Sequence, residues 1–162
     1  MILRNQVEWA LHCVSLLAAL PAEKRLSATD LAKFHGVPKE YLLKALQELS
    51  KAGIVDGSIG QKGGYKLARH PGEITFLDVI EAIEGKKSTF ICTEIRQNSP
   101  CDTPISALAK PCQVARIMYE ADEAWRQVLK KTTIADLAKD VETELPEQFL
   151  TRIGQWIENN IN

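Results

Sequence analysis

Three of the chain's four cysteines, Cys92, Cys101 and Cys112, fall in one stretch, CTEIRQNSPCDTPISALAKPC. Three thiols on one loop are a donor set for zinc or an iron–sulfur centre, or for a disulfide. The C-x8-C-x10-C spacing lacks the short knuckle of structural zinc sites and matches neither common ferredoxin pattern, so spacing alone selects no metal. Glu8 and His12 stand four residues apart in a helical pattern and so share one helix face. That spacing suits two metal donors, and it equally suits an ordinary surface pair. Cys13, next to His12, reads as a small buried apolar residue. His35 and His70 read as turn residues. No Ser-His-Asp set, nucleotide loop or paired-carboxylate site emerges, which points away from an enzyme.

The chain that must position these groups has 162 residues, 45% hydrophobic and 25% charged, the composition of an ordinary folded protein. The stretch VSLLAALPA is apolar and ends in small residues. Glu8 and His12 interrupt what precedes it and Arg4 is its only cation, so a signal peptide is not expected. The expectation is a cytoplasmic protein without a membrane partner, in which a structural disulfide is disfavoured. The net charge of −1 divides unevenly: residues 1–70 carry ten Lys/Arg against six Asp/Glu, and the remainder ten against fifteen. A basic first half suits nucleic acid.

Residues 4–20 place Val7, Leu11, Val14 and Leu17/Ala18 on one helical face, closed by Pro21. Ser27 is a good N-cap for ATDLAKFH, and Gly36 a natural stop. Pro38 opens PKEYLLKALQELSKA as its first helical residue, with Leu42, Leu43, Leu46 and Leu49 facing inward. Two helices joined by a short glycine turn form a helix-turn-helix pattern. Ile54-Val55 and Tyr65-Lys66-Leu67 then flank Gly57, Gly60, Gly63 and Gly64, a hairpin with a flexible tip. Thr75 with Asp78 caps FLDVIEAIE. Residues 86–112 show no period and read as a functional loop. A long amphipathic helix follows over 113–131, then a short one from Thr133 and a last one from Pro146. The fold class is mainly α with a small β-hairpin wing. The expected division is a winged helix-turn-helix over 1–85, a sensor loop over 86–112, and a dimerisation helix with a helical extension over 113–162.

A recognition helix in the major groove would present Lys39, Glu40, Tyr41 and Lys44 to bases and phosphates. Ser27 and Thr29 begin the preceding helix, close to the backbone of the duplex. Gln61, Lys62 and Gly63 lie in the wing, where Lys62 is placed to enter the minor groove. The expected partner is double-stranded DNA. A winged-helix module used only for protein contacts is the alternative.

Over residues 1–137 the sequence resembles the Rrf-two family of bacterial winged-helix transcriptional regulators. The resemblance rests on LSATDLAKFHGVPKEYLLKALQELSKAGIVDGSIGQKGGYKLAR, ITFLDVIEAIEG and CQVARIMYEADEAWRQVLKKTTIADL. It implies a homodimeric repressor or activator on a pseudo-palindromic operator, dimerising through the long helix with Ile117, Met118, Ala121 and Trp125 at the contact. It further implies an iron–sulfur cluster on Cys92, Cys101 and Cys112, completed by His12 or Glu8 of the other subunit. Five donors for four positions leave one spare, and mixed ligation favours a 2Fe–2S over a 4Fe–4S centre. Redox, nitric oxide or iron status would be sensed there. Some family members carry no cluster, so a repressor controlled by thiol oxidation or a metabolite stays open. Leu43 and Ile59 replace a base-reading glutamate and a wing arginine of cluster-bearing members, which implies a different target site.

Overall fold

The computed structural model describes residues 2–60, 63–101 and 103–162. Its order is α1 (Asn5–Ala18), α2 (Ala28–His35), α3 (Lys39–Lys51), β1 (Val55–Ser58), β2 (Gly64–Leu67), α4 (Phe76–Glu84), α5 (Ile105–Leu108), α6 (Gln113–Lys131), α7 (Ile134–Glu144) and α8 (Glu147–Asn160). Single 3-10 turns occupy Pro71–Glu73 and Ile95–Asn98. This is the helical, single-hairpin winged helix-turn-helix architecture that the sequence pattern predicts. No helix among the described residues is long and apolar enough to cross a membrane.

Local chemistry sets the joints. Ser27 Oγ accepts the Asp30 N–H at 3.1 Å, starting α2, and Gly36 stops it at φ 64°. A left-handed residue is cheap only for glycine, and here it turns the chain directly toward α3. His35, expected in a turn, is therefore the last residue of α2. Pro38, expected as the first helical residue, is instead the extended N-cap, and its carbonyl accepts the Leu42 N–H at 3.1 Å. Capping boxes start α4 at Thr75/Asp78 and α7 at Thr133/Asp136.

The hairpin pairs antiparallel from Val55↔Leu67 to Ser58↔Gly64. At Gly64 φ is 143°, and a Cβ there would lie 2.6 Å from the Leu26 carbonyl oxygen. Only glycine lets β2 close against that segment, where Leu26 and Tyr65 exchange backbone hydrogen bonds of 3.1 and 2.8 Å.

The core gathers Val14 from α1, Leu31 from α2, Leu42, Leu46 and Leu49 from α3, and Val79 and Ile83 from α4. Burying each such side chain contributes about 1.5–3 kcal/mol. Leu43, at the edge of the inward face of α3, is only half-buried. The late helices return to this core. Phe76 N–H reaches the Thr132 carbonyl at 3.0 Å, Ile134 N–H reaches Ile74 at 2.9 Å, and Ile134 is fully buried. In α8, Ile157 joins the core and Trp156 packs on Phe34 with ring centroids 4.7 Å apart. By contrast, α6 buries Ala115 alone among its nineteen residues.

Candidate nucleic-acid interface and sensor loop

At the head, α3 projects Lys39, Glu40, Tyr41 and Lys44 into solvent while its leucines anchor it. Lys44 Nζ lies 5.5 Å from the Tyr41 ring centroid, so the pair holds cation and hydroxyl together on the first turns. Gln6 Nε2 donates to the Tyr41 carbonyl at 3.3 Å, a tie from α1. Ser27 spends its hydroxyl on the cap and Thr29 is half-buried beside it. In the wing, Gly63 is half-buried, whereas Gln61 and Lys62 lie outside the described residues. Sequence reasoning missed Arg25. Its guanidinium donates to Asp56 Oδ2 at 2.6 Å, to the Asp56 carbonyl at 2.9 Å and to the Gly64 carbonyl at 3.3 Å, gripping both strands of the wing.

The loop is organised around another arginine that the sequence did not reveal. Arg96 pairs through two nitrogens with the Glu94 carboxylate and donates to the Ala107 and Lys110 carbonyls at 2.7 and 2.9 Å. Thr103 Oγ1 closes the turn on the Arg96 carbonyl at 2.9 Å. Glu94 sits in the left-handed region at φ 52°, a strained position for a non-glycine that this network holds in place. The Glu94 hydrogen bonds, and with them the Glu94 charge, raise the Arg96 guanidinium above its usual range. Of the loop thiols, Cys92 and Cys112 are half-buried and Cys101 is exposed. Cys112 also caps α6: its Sγ accepts the Ala115 N–H at 3.3 Å. Cys13 is different, because complete burial pushes its thiol up to about 12.

Glu8 and His12 are exposed on α1, beside an open groove of about 430 Å³ lined by Leu3, Val7, Leu11, Phe76 and Leu137. The His12 ring stands 5.9 Å from that of His35, whose Nε2 is buried without a hydrogen-bond partner. Burial, and secondarily His12, lowers the His35 pKa. Among the described residues no three His, Cys, Asp or Glu side chains gather as a metal site within one chain.

A third arginine joins loop, long helix and head. Arg126 pairs with Glu81 of α4, donates to the Lys87 carbonyl at 2.7 Å and reaches Asp122 at 3.3 Å. Asp122 in turn accepts the Thr89 N–H at 3.1 Å and the Ser88 hydroxyl at 3.3 Å. Hydrogen bonds from Thr89, then Arg126, hold the Asp122 carboxyl below the usual carboxylate range. A depressed carboxyl stabilises above its unfolded pKa and loses that contribution as pH falls through the folded value. Loop anchoring should therefore be flat from neutral pH to about pH 5 and weaken only below about pH 4. Asp122→Asn should mimic the acid state at neutral pH, read as faster tryptic cleavage at Lys86 and Lys87. Equal cleavage of variant and parent would remove the anchor.

Comparison with known proteins agrees with this layout. Residues 3–140 match the Rrf2 (Rrf-two) family, described as an iron-dependent transcriptional regulator. The chain is 32% identical to the HTH-type transcriptional regulator NsrR of Geobacillus kaustophilus, over 86% of this chain and 91% of that protein. Among solved structures it is similar to CymR, the global cysteine regulator of B. subtilis, with TM-score 0.66 and 25% identity over 86% of this chain and 97% of that one. It also shares the fold of T. potens IscR, with TM-score 0.64 and 22% identity over 93% and 96% of the two chains.

Proposed function

The chain belongs to the Rrf2 family of DNA-binding transcriptional regulators, and we propose that it acts as a homodimer whose grip on DNA follows the state of an iron–sulfur cluster. In this reading Cys92 and Cys112 of one copy hold the cluster together with Glu8 and His12 of the second copy, and Cys101 is the spare thiol. The observation that carries it is the shape of the loop: Cys92 and Cys112 are half-buried while Cys101 is exposed, and Arg96 ties the stretch after Cys92 to the Lys110 carbonyl, two residues before Cys112. Glu8 and His12 are exposed on α1 and, among the described residues, do not gather with the loop thiols, so a four-donor set needs two copies. Two thiolates, an imidazole and a carboxylate fit a 2Fe–2S centre, which when bound supplies one-electron redox chemistry and reactivity toward oxidants or nitric oxide.

The chain's own residues would then translate occupancy into DNA affinity. Arg96 fixes the loop's middle, Asp122 and Arg126 fix its start to α6 and α4, and Cys112 fixes its end at the N-terminus of α6. A change in the loop therefore bears on the helix that joins the copies and on the heads they carry. The head comprises residues 1–85 and the sensor loop 86–112; of the remainder, 113–162, α6 is the dimerising arm, while Ile134 and Ile157 of the late helices pack into the head core. Two recognition helices would enter successive major grooves of a pseudo-palindromic operator roughly 34 Å apart. Lys39→Ala or Lys44→Ala should flatten the salt dependence of duplex binding by about one unit. An unchanged slope in both would remove α3 from the interface. The cluster is tested by the visible spectrum of protein purified without oxygen, with equimolar iron and acid-labile sulfide expected. A colourless protein lacking both supports instead thiol control of the same DNA module.

A further inference from the structure

We propose that the C-terminal segment 147–162, which lies beyond the family match at residue 140, positions the wing for DNA. A two-stranded hairpin is marginal in water on its own, and this one has only four residues per strand. Arg25 braces it from below, gripping Asp56 and Gly64 with its guanidinium. The tail reaches the bracing residue and the wing beside it. Asn162 N–H donates to the Arg25 carbonyl at 3.0 Å, and Asn162 Nδ2 donates to the Gly63 carbonyl at 2.9 Å. Gly63 immediately follows Lys62, the wing cation assigned to the minor groove. Further back, α8 is fixed to the head by Trp156 on Phe34, next to the helix-turn-helix bend, and by Ile157 in the core. One path thus runs from the end of α2, through α8 and Asn162, to the descending arm of the wing. Core filling explains Ile157 but not an amide spent on a wing carbonyl. Holding that arm in place lowers the ordering cost of bringing the wing onto the duplex.

This inference rests on the wing contact expected of Lys62 from the sequence, and the test separates the two. Parent, Asn162→Ala, Lys62→Ala and the double variant are titrated with a short mixed-sequence duplex at several salt concentrations. Lys39→Ala, alone and with Asn162→Ala, serves as a second background. Asn162→Ala should weaken binding roughly two- to tenfold, the worth of about one hydrogen bond. It should cost little more in the Lys62→Ala background, yet combine multiplicatively with Lys39→Ala, because only contacts sharing a partner couple. Its thermal melting should match the parent, which a merely structural role would not allow together with weakened binding. Parent-like binding by Asn162→Ala, or a loss that multiplies fully with Lys62→Ala, overturns the proposal. Parent-like binding by Lys62→Ala sinks the wing contact itself. Trp156→Ala, which frees α8 from Phe34, should show the same coupling. If it melts early, the surface variant decides.

Discussion

Protein carrying Cys112→Ala and purified without oxygen is expected to lose its visible absorption and bound iron entirely, while Cys101→Ala keeps both. The contrast follows from where the two thiols sit. Cys112 is half-buried at the start of a nineteen-residue helix, with its Sγ on the Ala115 N–H. Cys101 is exposed on the loop. A thiol-to-methyl change at Cys112 removes one helix cap, worth about 1 kcal/mol, so the protein should stay folded. His12→Ala, which replaces a donor on α1, should shift the spectrum or potential more mildly. Colour retained in Cys112→Ala, or lost in Cys101→Ala, would remove the proposed donor set.

The second large effect is on assembly. Ile117→Asp should yield monomer or aggregate by analytical ultracentrifugation, while the parent's melting temperature rises with protein concentration. Along α6, Val114, Ile117 and Val128 are 63%, 56% and 66% exposed, with Met118 and Ala121 between them and Trp125 half-buried at the head. At about 1.5–3 kcal/mol for each apolar side chain fully covered, such a row on both copies offsets an association cost of about 4–15 kcal/mol. A carboxylate in the middle of that row would be buried unpaired, a penalty no small repacking removes. A stable monomer of Ile117→Asp that still binds DNA as the parent does would contradict an obligate dimer.

What the sequence made legible is what local chemistry determines. Ser27, Gly36, and the Thr75/Asp78 and Thr133/Asp136 boxes act within four residues, and each stands where the pattern places it. The leucine period of α3 separated the buried face from Lys39, Tyr41 and Lys44 for the same reason. The arginines were not legible. Arg25 works across 31 residues to Asp56, Arg126 across 45 to Glu81, and Arg96 across 14 to Lys110. Nothing beside them in sequence marks a clamp, since an exposed arginine and a clamping one have the same neighbours. The tail is an intermediate case. The spacing of Phe149/Leu150, Ile153, Trp156/Ile157 and Ile161 predicts an apolar face for α8; Phe149 is exposed, and the target of the rest, Phe34 and the head core, depends on the path of the chain. Likewise, the three-cysteine spacing named a donor set without showing that Cys92 and Cys112 are half-buried and Cys101 exposed.

The seam between Ile74–Phe76 and Thr132–Ile134 has a consequence for synthesis. Fully buried Ile74 leaves the ribosome some sixty residues before Ile134, whose N–H donates to its carbonyl. At about 5–20 residues per second, the nascent head waits roughly 3–12 s with that flank of its core open. During the wait the apolar sides of α1 and α4 are available to chaperones and to neighbouring nascent chains. Slowed translation between residues 76 and 134 should therefore lower the yield of folded protein more than the same delay placed after residue 134.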